Sequence, residues 1–244
     1  MTLVAITKTY PASDVELLAS LGVTDVGENK DQEAAAKAAA VPAGLRWHFV
    51  GQLQRNKAKS VVRYADVVES VDSLRLVAAL SKAAVEHRSS TVDILIQVSL
   101  DGDPSRGGAV ASGGSLSVTS SSLSVPTSQP VVTSSPSAPN RASSDISGFP
   151  EAVDPERDLW RVADAVAAAE GLRLAGVMAV APIGWDPDRA FKKLALIVER
   201  LRAKHPGAVV VSAGMSGDLE AAIKHGATHV RIGTSLLGMR NTLR

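Results

Sequence analysis

Short runs of apolar, mostly β-branched residues alternate along the chain with longer segments of helical periodicity. Nearly continuous apolar runs of this kind are typical of parallel strands that are buried on both faces. The pattern predicts strands at Leu3–Ile6, Thr24–Gly27, Arg46–Val50, Val67–Ser70, Val92–Val98, Leu174–Met178, Ala208–Ser212 and His229–Ile232. It predicts helices at Ser13–Leu21, Lys30–Ala39, Arg55–Val62, Ser73–His87, Glu156–Ala169, Asp186–Lys204 and Gly217–Lys224.

Eight strands separated by helices favour an α/β fold, in the form of a single (β/α)8 barrel of the TIM type. An open, doubly wound sheet is the competing architecture, but Gly27–Asn29 lacks the glycine pattern that a dinucleotide-binding fold shows after an early strand. Ser13 and Glu16 predict a capping box at the start of the first helix, because each side chain can bond to the other residue's backbone N–H. Gly22 predicts the end of that helix, since glycine tolerates the left-handed conformation.

One segment departs from this alternation. Gly107–Asn140 contains no charged and no aromatic residue and is dominated by Ser, Thr, Val and Pro. Such a composition offers few large side chains to offset the entropy lost on ordering. We therefore predict a flexible insertion over about Ala109–Pro150, in the loop after the fifth strand of a barrel domain that spans residues 1–244. A small hairpin built from Leu116–Val118 and Leu123–Val125 is the alternative.

Composition narrows the class of protein. Acidic and basic residues nearly cancel, at 25 against 26, and no Lys/Arg block stands out, which argues against a nucleic-acid partner. The absence of cysteine excludes disulfides and thiolate metal sites. The first residues lack the pattern of a secretion signal, and no stretch approaches about 18 uninterrupted apolar residues. We therefore expect a cytoplasmic protein with no membrane partner.

Candidate chemistry is sought where strands end, because functional residues of (β/α) barrels lie at the carboxyl ends of the strands. The first strand leads into Lys8, the second into Asn29, and the third carries His48. The last two strands lead into loops rich in glycine and hydroxyl residues, Ser212–Gly217 and Arg231–Ser235. Asn29 and His48 could line the mouth of the barrel, although a histidine within an apolar strand is more often a satisfied structural group.

The last two loops predict a phosphate site. Gly214, Ser216 and Gly217 precede a helix, so that unpaired backbone N–H groups and a hydroxyl can face an anion there. Gly233 and Thr234 supply a second glycine and hydroxyl from the neighbouring strand. The loops after the seventh and eighth strands are where TIM barrels commonly bind phosphate. Two ordinary glycine turns are the alternative.

Lys8 and Arg231 indicate what kind of phosphorylated ligand the site would bind. A lysine amine that faces a phosphate pocket can capture an aldehyde cofactor as an imine, whereas a solvated surface lysine is the alternative. Arg231 lies just before the phosphate glycine, where it can donate a hydrogen bond to the pyridine nitrogen of a bound ring. Because arginine stays protonated, it would keep that nitrogen unprotonated and the ring a poor electron sink. His225 and His229 have metal-like spacing but should not share a face, so no metal site is predicted.

These motifs resemble a known family. The matching segments are Ala5–Thr9, Gly27–Asn29, His48–Lys57, Gly176–Ala179, Gly214–Ile223 and Val230–Thr234. Together they resemble the YggS/PROSC-type pyridoxal phosphate homeostasis proteins, relatives of the alanine racemase N-terminal barrel. The resemblance implies pyridoxal 5′-phosphate (PLP) as cofactor, with Lys8 carrying it as a Schiff base and Arg231 facing its pyridine nitrogen. It also implies that Ser216, Gly233 and Thr234 hold the phosphate.

Asn29 and Ser212 complete the predicted cofactor-binding set, with no catalytic residue among its members. Members of the family usually carry a helix before the first strand, whereas this chain begins on the strand itself, which we expect to cost stability. The insertion is also unusual for the family.

The expected function is that of a non-catalytic, monomeric PLP carrier and buffer in vitamin B6 homeostasis, with PLP-dependent apoenzymes as candidate partners. A racemase of the related fold needs a second acid/base from an added β domain and a partner subunit, and no β-rich domain follows Thr234. The alternatives are a single-domain PLP-dependent amino-acid racemase, or a cofactor-free barrel enzyme that acts on a phosphorylated metabolite with Lys8 as base.

Overall fold

Eight parallel strands close into a barrel in the computed structural model, which describes residues 1–103, 106–113, 149–150 and 153–238. Each strand pairs with the next in the chain, and the last pairs with the first. The strands are β1 Thr2–Ile6, β2 Asp25–Glu28, β3 Arg46–Phe49, β4 Val67–Val71, β5 Val92–Val98, β6 Leu172–Ala179, β7 Val210–Ser212 and β8 His229–Ile232. The predicted (β/α)8 TIM-type barrel is therefore confirmed.

Helices follow the strands around the outside of the barrel. They are α1 Ala12–Ser20, α2 Asp31–Ala40, α3 Ala58–Val61, α4 Leu74–His87, α5 Leu159–Ala168, α6 Pro187–Lys204, α7 Leu219–Lys224 and α8 Thr234–Leu237. A short 3₁₀ turn, Arg55–Lys57, precedes α3. The four-residue α8 was not predicted, because it carries too few residues for a helical period to show. Among the helices of the described ranges, none is both long and apolar enough to cross a membrane.

The predicted capping box at the first helix is wrong. The helix begins at Ala12, with Pro11 as its N-cap residue and no side-chain hydrogen bond at the cap. Proline has its φ fixed at a value compatible with helix entry, here −71°, so the helix starts before Ser13 and leaves the Ser13–Glu16 pair inside the first turn. The predicted stop is confirmed, because Gly22 follows the helix with a φ of +89°.

The main apolar core lies between the barrel and its surrounding helices. Its largest fully buried side chains include Leu80, Ile94, Ile96, Phe191 and Ile197. A smaller apolar cluster of Val67, Leu95, Ala175 and Met178 packs separately. Twelve polar or charged residues are also buried in the described part of the chain, and several of them lie on the strands. The interior of the barrel is therefore not uniformly apolar.

The described ends of the predicted insertion pack against the barrel. Ala109 is fully buried; its N–H donates to Gln97 O at 2.7 Å, and its carbonyl accepts from Ser99 N at 2.9 Å. Phe149 packs against the main core at the other end. Most of the predicted insertion, and the whole of the hairpin alternative, falls within residues 114–148 and lies outside the described residues.

Candidate functional site

Lys8 lies two residues beyond the end of β1, on the turn that leads to α1. Its side chain is exposed, and among the described residues no hydrogen bond or ion pair engages its ammonium group. The neighbouring strand in the barrel is β8, and Gly233 at its end stands close to Ile6, since a Cβ on Gly233 would lie 3.4 Å from Ile6 O. The Lys8 turn and the loop after β8 therefore lie side by side at the mouth.

The loops after β7 and β8 are joined to each other. Ser235 Oγ donates to Ser216 Oγ at 2.6 Å. Within the described residues, the backbone N–H groups of Ser216, Gly217, Gly233, Thr234 and Ser235 have no hydrogen-bond acceptor. Exposed hydroxyls on Ser216 and Thr234 stand beside them. Unpaired N–H groups and hydroxyls in adjacent loops can bind the oxygens of one anion.

Arg231 extends from β8 into the barrel, where it is 6% exposed. Its Nη1 donates to Ser212 O at 2.8 Å and to Ser212 Oγ at 2.9 Å, and its Nη2 donates to Ala179 O at 2.9 Å. The Nε has no acceptor among the described residues. Burial lowers the pKa of Arg231, and a carboxylate oxygen of Glu69, 3.9 Å from Nη1, opposes that effect.

A network of buried, hydrogen-bonded side chains extends from Arg231 across the barrel. Ser212 Oγ donates to Glu69 Oε2 at 2.6 Å. The other oxygen of Glu69 lies 2.7 Å from His48 Nδ1, and His48 Nε2 lies 2.9 Å from Asp25 Oδ1. These side chains come from β2, β3, β4, β7 and β8, so the hydrogen-bond network connects five of the eight strands.

Both ring nitrogens of His48 face a carboxylate, an arrangement that favours the charged imidazole. Burial alone would lower the pKa of His48, but hydrogen bonds to Asp25 and Glu69 raise it to about 9. Burial alone would likewise raise the pKa of each carboxyl group, and the hydrogen bonds from His48 hold both below their usual values. Two carboxylates therefore face one imidazolium and the Arg231 guanidinium, so the buried charges compensate one another.

The predicted site residues fall into three groups. Arg231 and Ser212 are in direct contact and form the first group. The loops that carry Ser216, Gly233 and Thr234 are adjacent to each other and to the Lys8 turn, so these residues and Lys8 form the second.

Asn29 forms a separate third group. It lies half-buried at the end of β2. Its carbonyl oxygen is so close to Gly51 that a Cβ atom added to Gly51 would lie only 2.2 Å from it. Within the described ranges no hydrogen bond joins Asn29 to Lys8 or Arg231.

The polar candidates outside the predicted set have structural partners. His48 is the satisfied structural group that a histidine in an apolar strand suggests. His225 bonds to Asp188 at 2.8 Å, while His229 lies with its ring centroid 6.3 Å from that of His48. The described part of the chain holds no group of three or more side chains that could bind a metal.

Two residues that contact the candidate site were not predicted from the sequence. Glu69, a charged residue within the apolar strand β4, was a signal that a buried partner must exist, but its partners lie on distant strands. From the sequence, Lys37 would be taken for a solvated helix residue. In the structure it is only 6% exposed, and its ammonium group donates to Thr7 O in the turn that carries Lys8. A lysine among the alanines of α2 carries no sequence signal that distinguishes it from a surface lysine.

Comparison with known proteins gives relatives over the whole chain. The chain is 42% identical to a pyridoxal phosphate homeostasis protein of Mycobacterium tuberculosis, in an alignment that covers 98% of this chain and 82% of the relative. It is 37% identical to a protein of the same name from Corynebacterium glutamicum, with 98% and 90% covered. The family described as alanine racemase, N-terminal domain, matches residues 153–241.

A solved structure shares the architecture. PipY of Synechococcus elongatus PCC7942, determined with PLP bound, superposes with a TM-score of 0.72 at 27% sequence identity, covering 98% of this chain and 92% of that protein.

Proposed function

The chain belongs to the family of pyridoxal phosphate homeostasis proteins, and from this premise we propose that it binds PLP as a Schiff base on Lys8 and acts as a carrier and buffer in vitamin B6 homeostasis. The observation that carries the proposal is the arrangement at the mouth. No described residue engages the ammonium of Lys8 or accepts from several N–H groups of the two joined loops beside it, and the buried Arg231 lies below them. These residues fit an aldehyde cofactor with a phosphate and a pyridine ring.

Each group of PLP has a matching set of residues. The amine of Lys8 condenses with the aldehyde, forming a C=N bond and releasing one water molecule. The hydroxyls of Ser216 and Thr234 and the N–H of Gly233 hold the phosphate. Arg231 donates through Nε, the one guanidinium nitrogen that the described residues leave without an acceptor. We place Asn29 and Ser212 around the ring and around Arg231, respectively.

The position of Arg231 disfavours carbanion stabilisation on the ring and in this way supports a carrier, although racemases tolerate an arginine at that place. Bound PLP supplies an electron sink, which is strongest when the pyridine nitrogen is protonated. A guanidinium fixed by Ser212 O and Ala179 O would donate to that nitrogen and keep it unprotonated. The relatives are named for homeostasis and not for a reaction, which agrees with this reading. We extend the proposal to a cytoplasmic monomer that delivers PLP to apoenzymes.

Borohydride reduction followed by peptide mass spectrometry tests the covalent assignment. In the wild type the pyridoxyl group should be found on Lys8, and the visible absorbance of the imine should disappear on reduction. Lys8→Ala should lose both signals, whereas Lys82→Ala, on the exposed face of α4, should keep them. A pyridoxyl group on another lysine of the wild type would refute the assignment.

A racemase is the second candidate, favoured by the match of residues 153–241 to the alanine racemase N-terminal domain. The two functions differ in turnover, because a carrier does not exchange the α-proton of an amino acid. Purified protein saturated with PLP should therefore racemise L-alanine far more slowly than the rate of about 1–1000 per second that is typical of enzymes. Racemisation within that range would replace the carrier with a racemase.

A further inference from the structure

Both neighbours of Lys8 are tied to acidic side chains. Thr7 Oγ1 donates to Glu28 Oε1 at 2.6 Å, and the backbone N–H of Thr9 donates to Glu33 Oε1 at 2.6 Å. Glu28 is fully buried at the end of β2, and Glu33 lies in the first turn of α2. The backbone is therefore held on either side of a lysine whose own side chain is exposed.

Lys37 links these two acidic side chains to the turn. Its Nζ donates to Glu28 Oε1 at 2.7 Å, to Glu33 Oε1 at 2.8 Å and to the carbonyl oxygen of Thr7 at 2.8 Å. An ammonium group has three N–H donors, so all of them are engaged. We call Glu28, Glu33 and Lys37 the Lys37 clamp.

The turn that the clamp holds has an unfavourable backbone conformation. Thr9 has a φ of +70°, and among the described residues it is the only one other than glycine with a positive φ. A β-branched residue adopts the left-handed region at a cost, and such a conformation persists only where its surroundings impose it. The hydrogen bond from Thr9 N to Glu33 supplies one such constraint. The backbone N–H of Tyr10 closes the same turn by donating to Thr7 O at 3.1 Å, so the clamp reinforces a turn that already encloses Lys8, and its loss would loosen the backbone on both sides of that lysine.

We propose that the Lys37 clamp is a positioning device that aims the amine of Lys8 at the aldehyde of PLP. The inference rests on the proposed function, in which Lys8 forms the Schiff base. The clamp acts through the backbone of the turn, and the phosphate is held separately by the loops after β7 and β8. Lys37 is not a competing amine, because it is buried and its three donors are already engaged.

Two ligands separate the positioning of Lys8 from binding of the phosphate and the ring. PLP can form the imine, whereas pyridoxine 5′-phosphate has an alcohol in place of the aldehyde and can only bind noncovalently. Lys37→Met removes the donors of the clamp and keeps the length of the side chain. It should weaken the apparent affinity for PLP by about tenfold, the factor that corresponds to re-ordering the backbone of about one residue. Affinity for pyridoxine 5′-phosphate should stay the same.

A second and a third variant guard against an indirect effect. Glu33→Ala removes the acceptor for Thr9 N but leaves the buried Lys37–Glu28 pair in place, so it should fold normally and show the same selective loss. Lys37→Arg keeps a charged donor and should recover part of the PLP affinity. Lys82→Met removes a lysine that pairs with Glu86 at the same i,i+4 spacing on the exposed face of α4, and both affinities should match the wild type.

An equal loss of affinity for both ligands in Glu33→Ala would show a general structural effect and overturn the inference. So would unchanged affinity for PLP in both Glu33→Ala and Lys37→Met, provided that the wild type carries the imine on Lys8. If the wild type forms no imine on Lys8, the proposed function fails first and the positioning role falls with it. A selective loss of PLP affinity in Glu33→Ala, with pyridoxine 5′-phosphate bound as in the wild type, supports the clamp.

Discussion

Replacing His48 with glutamine should destabilise the barrel and remove a pH dependence of stability that we expect of the wild type. The imidazole is 1% exposed and bonds to Glu69 and Asp25 at 2.7 and 2.9 Å. Glutamine is uncharged, so the two carboxylates would be left without the cation between them. Removing one partner of a buried ion pair typically costs about 3–5 kcal/mol, because the other charge stays desolvated and unpaired. We expect a loss of that order near neutral pH.

The structure also gives the sign of the pH dependence. Hydrogen bonds to Asp25 and Glu69 overcome burial and raise the pKa of His48 from 6.5 to about 9. The folded protein therefore holds a proton more tightly than the unfolded chain. This contribution is complete below pH 6.5 and is lost as the pH rises through about 9. At about 1.36 kcal/mol per pKa unit, it amounts to about 3 kcal/mol.

The carboxyl groups give the opposite dependence on the acid side. The pKa values of Asp25 and Glu69 are held below their usual values, so their contribution is present near neutral pH and is lost in acid. Other titratable groups lie beside the His48, Asp25 and Glu69 side chains, namely Arg231 next to Glu69 and His229 next to His48. Subtracting the pH profile of the variant from that of the wild type removes most of their effect, since the variant retains them.

Urea unfolding of the cofactor-free protein measures the effect, with the free energy of unfolding extrapolated to water at several pH values between 6.5 and about 9. The difference between the wild type and His48→Gln should shrink across this interval by about 3 kcal/mol. The control is His225→Gln, which removes a histidine that bonds to the exposed Asp188 and should change stability little at any pH. A difference that stays constant from neutral to alkaline pH would show that His48 is not charged in the folded state, and the reasoning would fail.

Three further predictions follow from the mouth and its loops. Replacing Ser216 and Thr234 together with alanine should weaken PLP binding at least about tenfold in an absorbance titration, because each hydroxyl is proposed to donate to the charged phosphate; unchanged affinity would place the phosphate elsewhere. Gly51→Ala should lower the free energy of unfolding by about 1–3 kcal/mol, because its Cβ would stand 2.2 Å from Asn29 O. Gly207→Ala is the matched control, because a Cβ on Gly207 would have no atom within 4 Å. Equal stability of the two variants would count against the close approach of Gly51 to Asn29. Replacing residues 114–148 with a short Gly/Ser linker should leave PLP affinity unchanged, since every residue proposed to hold the cofactor lies outside that segment; faster PLP dissociation would instead indicate a lid.

The architecture could be predicted from the sequence because its signal is local. Strands that are covered on both faces are rich in apolar and β-branched residues, and the predicted bounds of Val92–Val98 and His229–Ile232 agree with the structure residue for residue. The prediction failed where a competing local rule decided the outcome. Pro11 begins α1 early enough to bypass the capping box, and β7 is shorter than its apolar run, beginning at Val210.

The rim of the candidate site was also accessible to sequence reasoning, for a related reason. Glycine, serine and threonine after the last two strands predict loops whose N–H groups find no acceptor among the described residues, and this depends on only a few consecutive positions. The Lys37 clamp lies at the same rim and was not predicted, because Lys37 reaches the Thr7 carbonyl across 30 positions of the chain. Its burial follows from the placement of α2 against the end of β1, which only the assembled barrel provides.

The side-chain contacts inside the barrel were the hardest to predict from the sequence, and they include the contacts that orient Arg231. Alternation along β4 indicates that Glu69 and Val67 share a face, but it does not name the partner of the carboxylate, and Ser212 is 143 positions away. The guanidinium of Arg231 is fixed by two backbone carbonyls and that serine, all belonging to the barrel wall. The residue proposed to meet the pyridine nitrogen is therefore oriented by the closed sheet itself, whereas Lys8 and the residues proposed to bind the phosphate are oriented by turns at its rim. A substitution in the wall should thus alter the electronic properties of bound PLP, and one at the rim its capture.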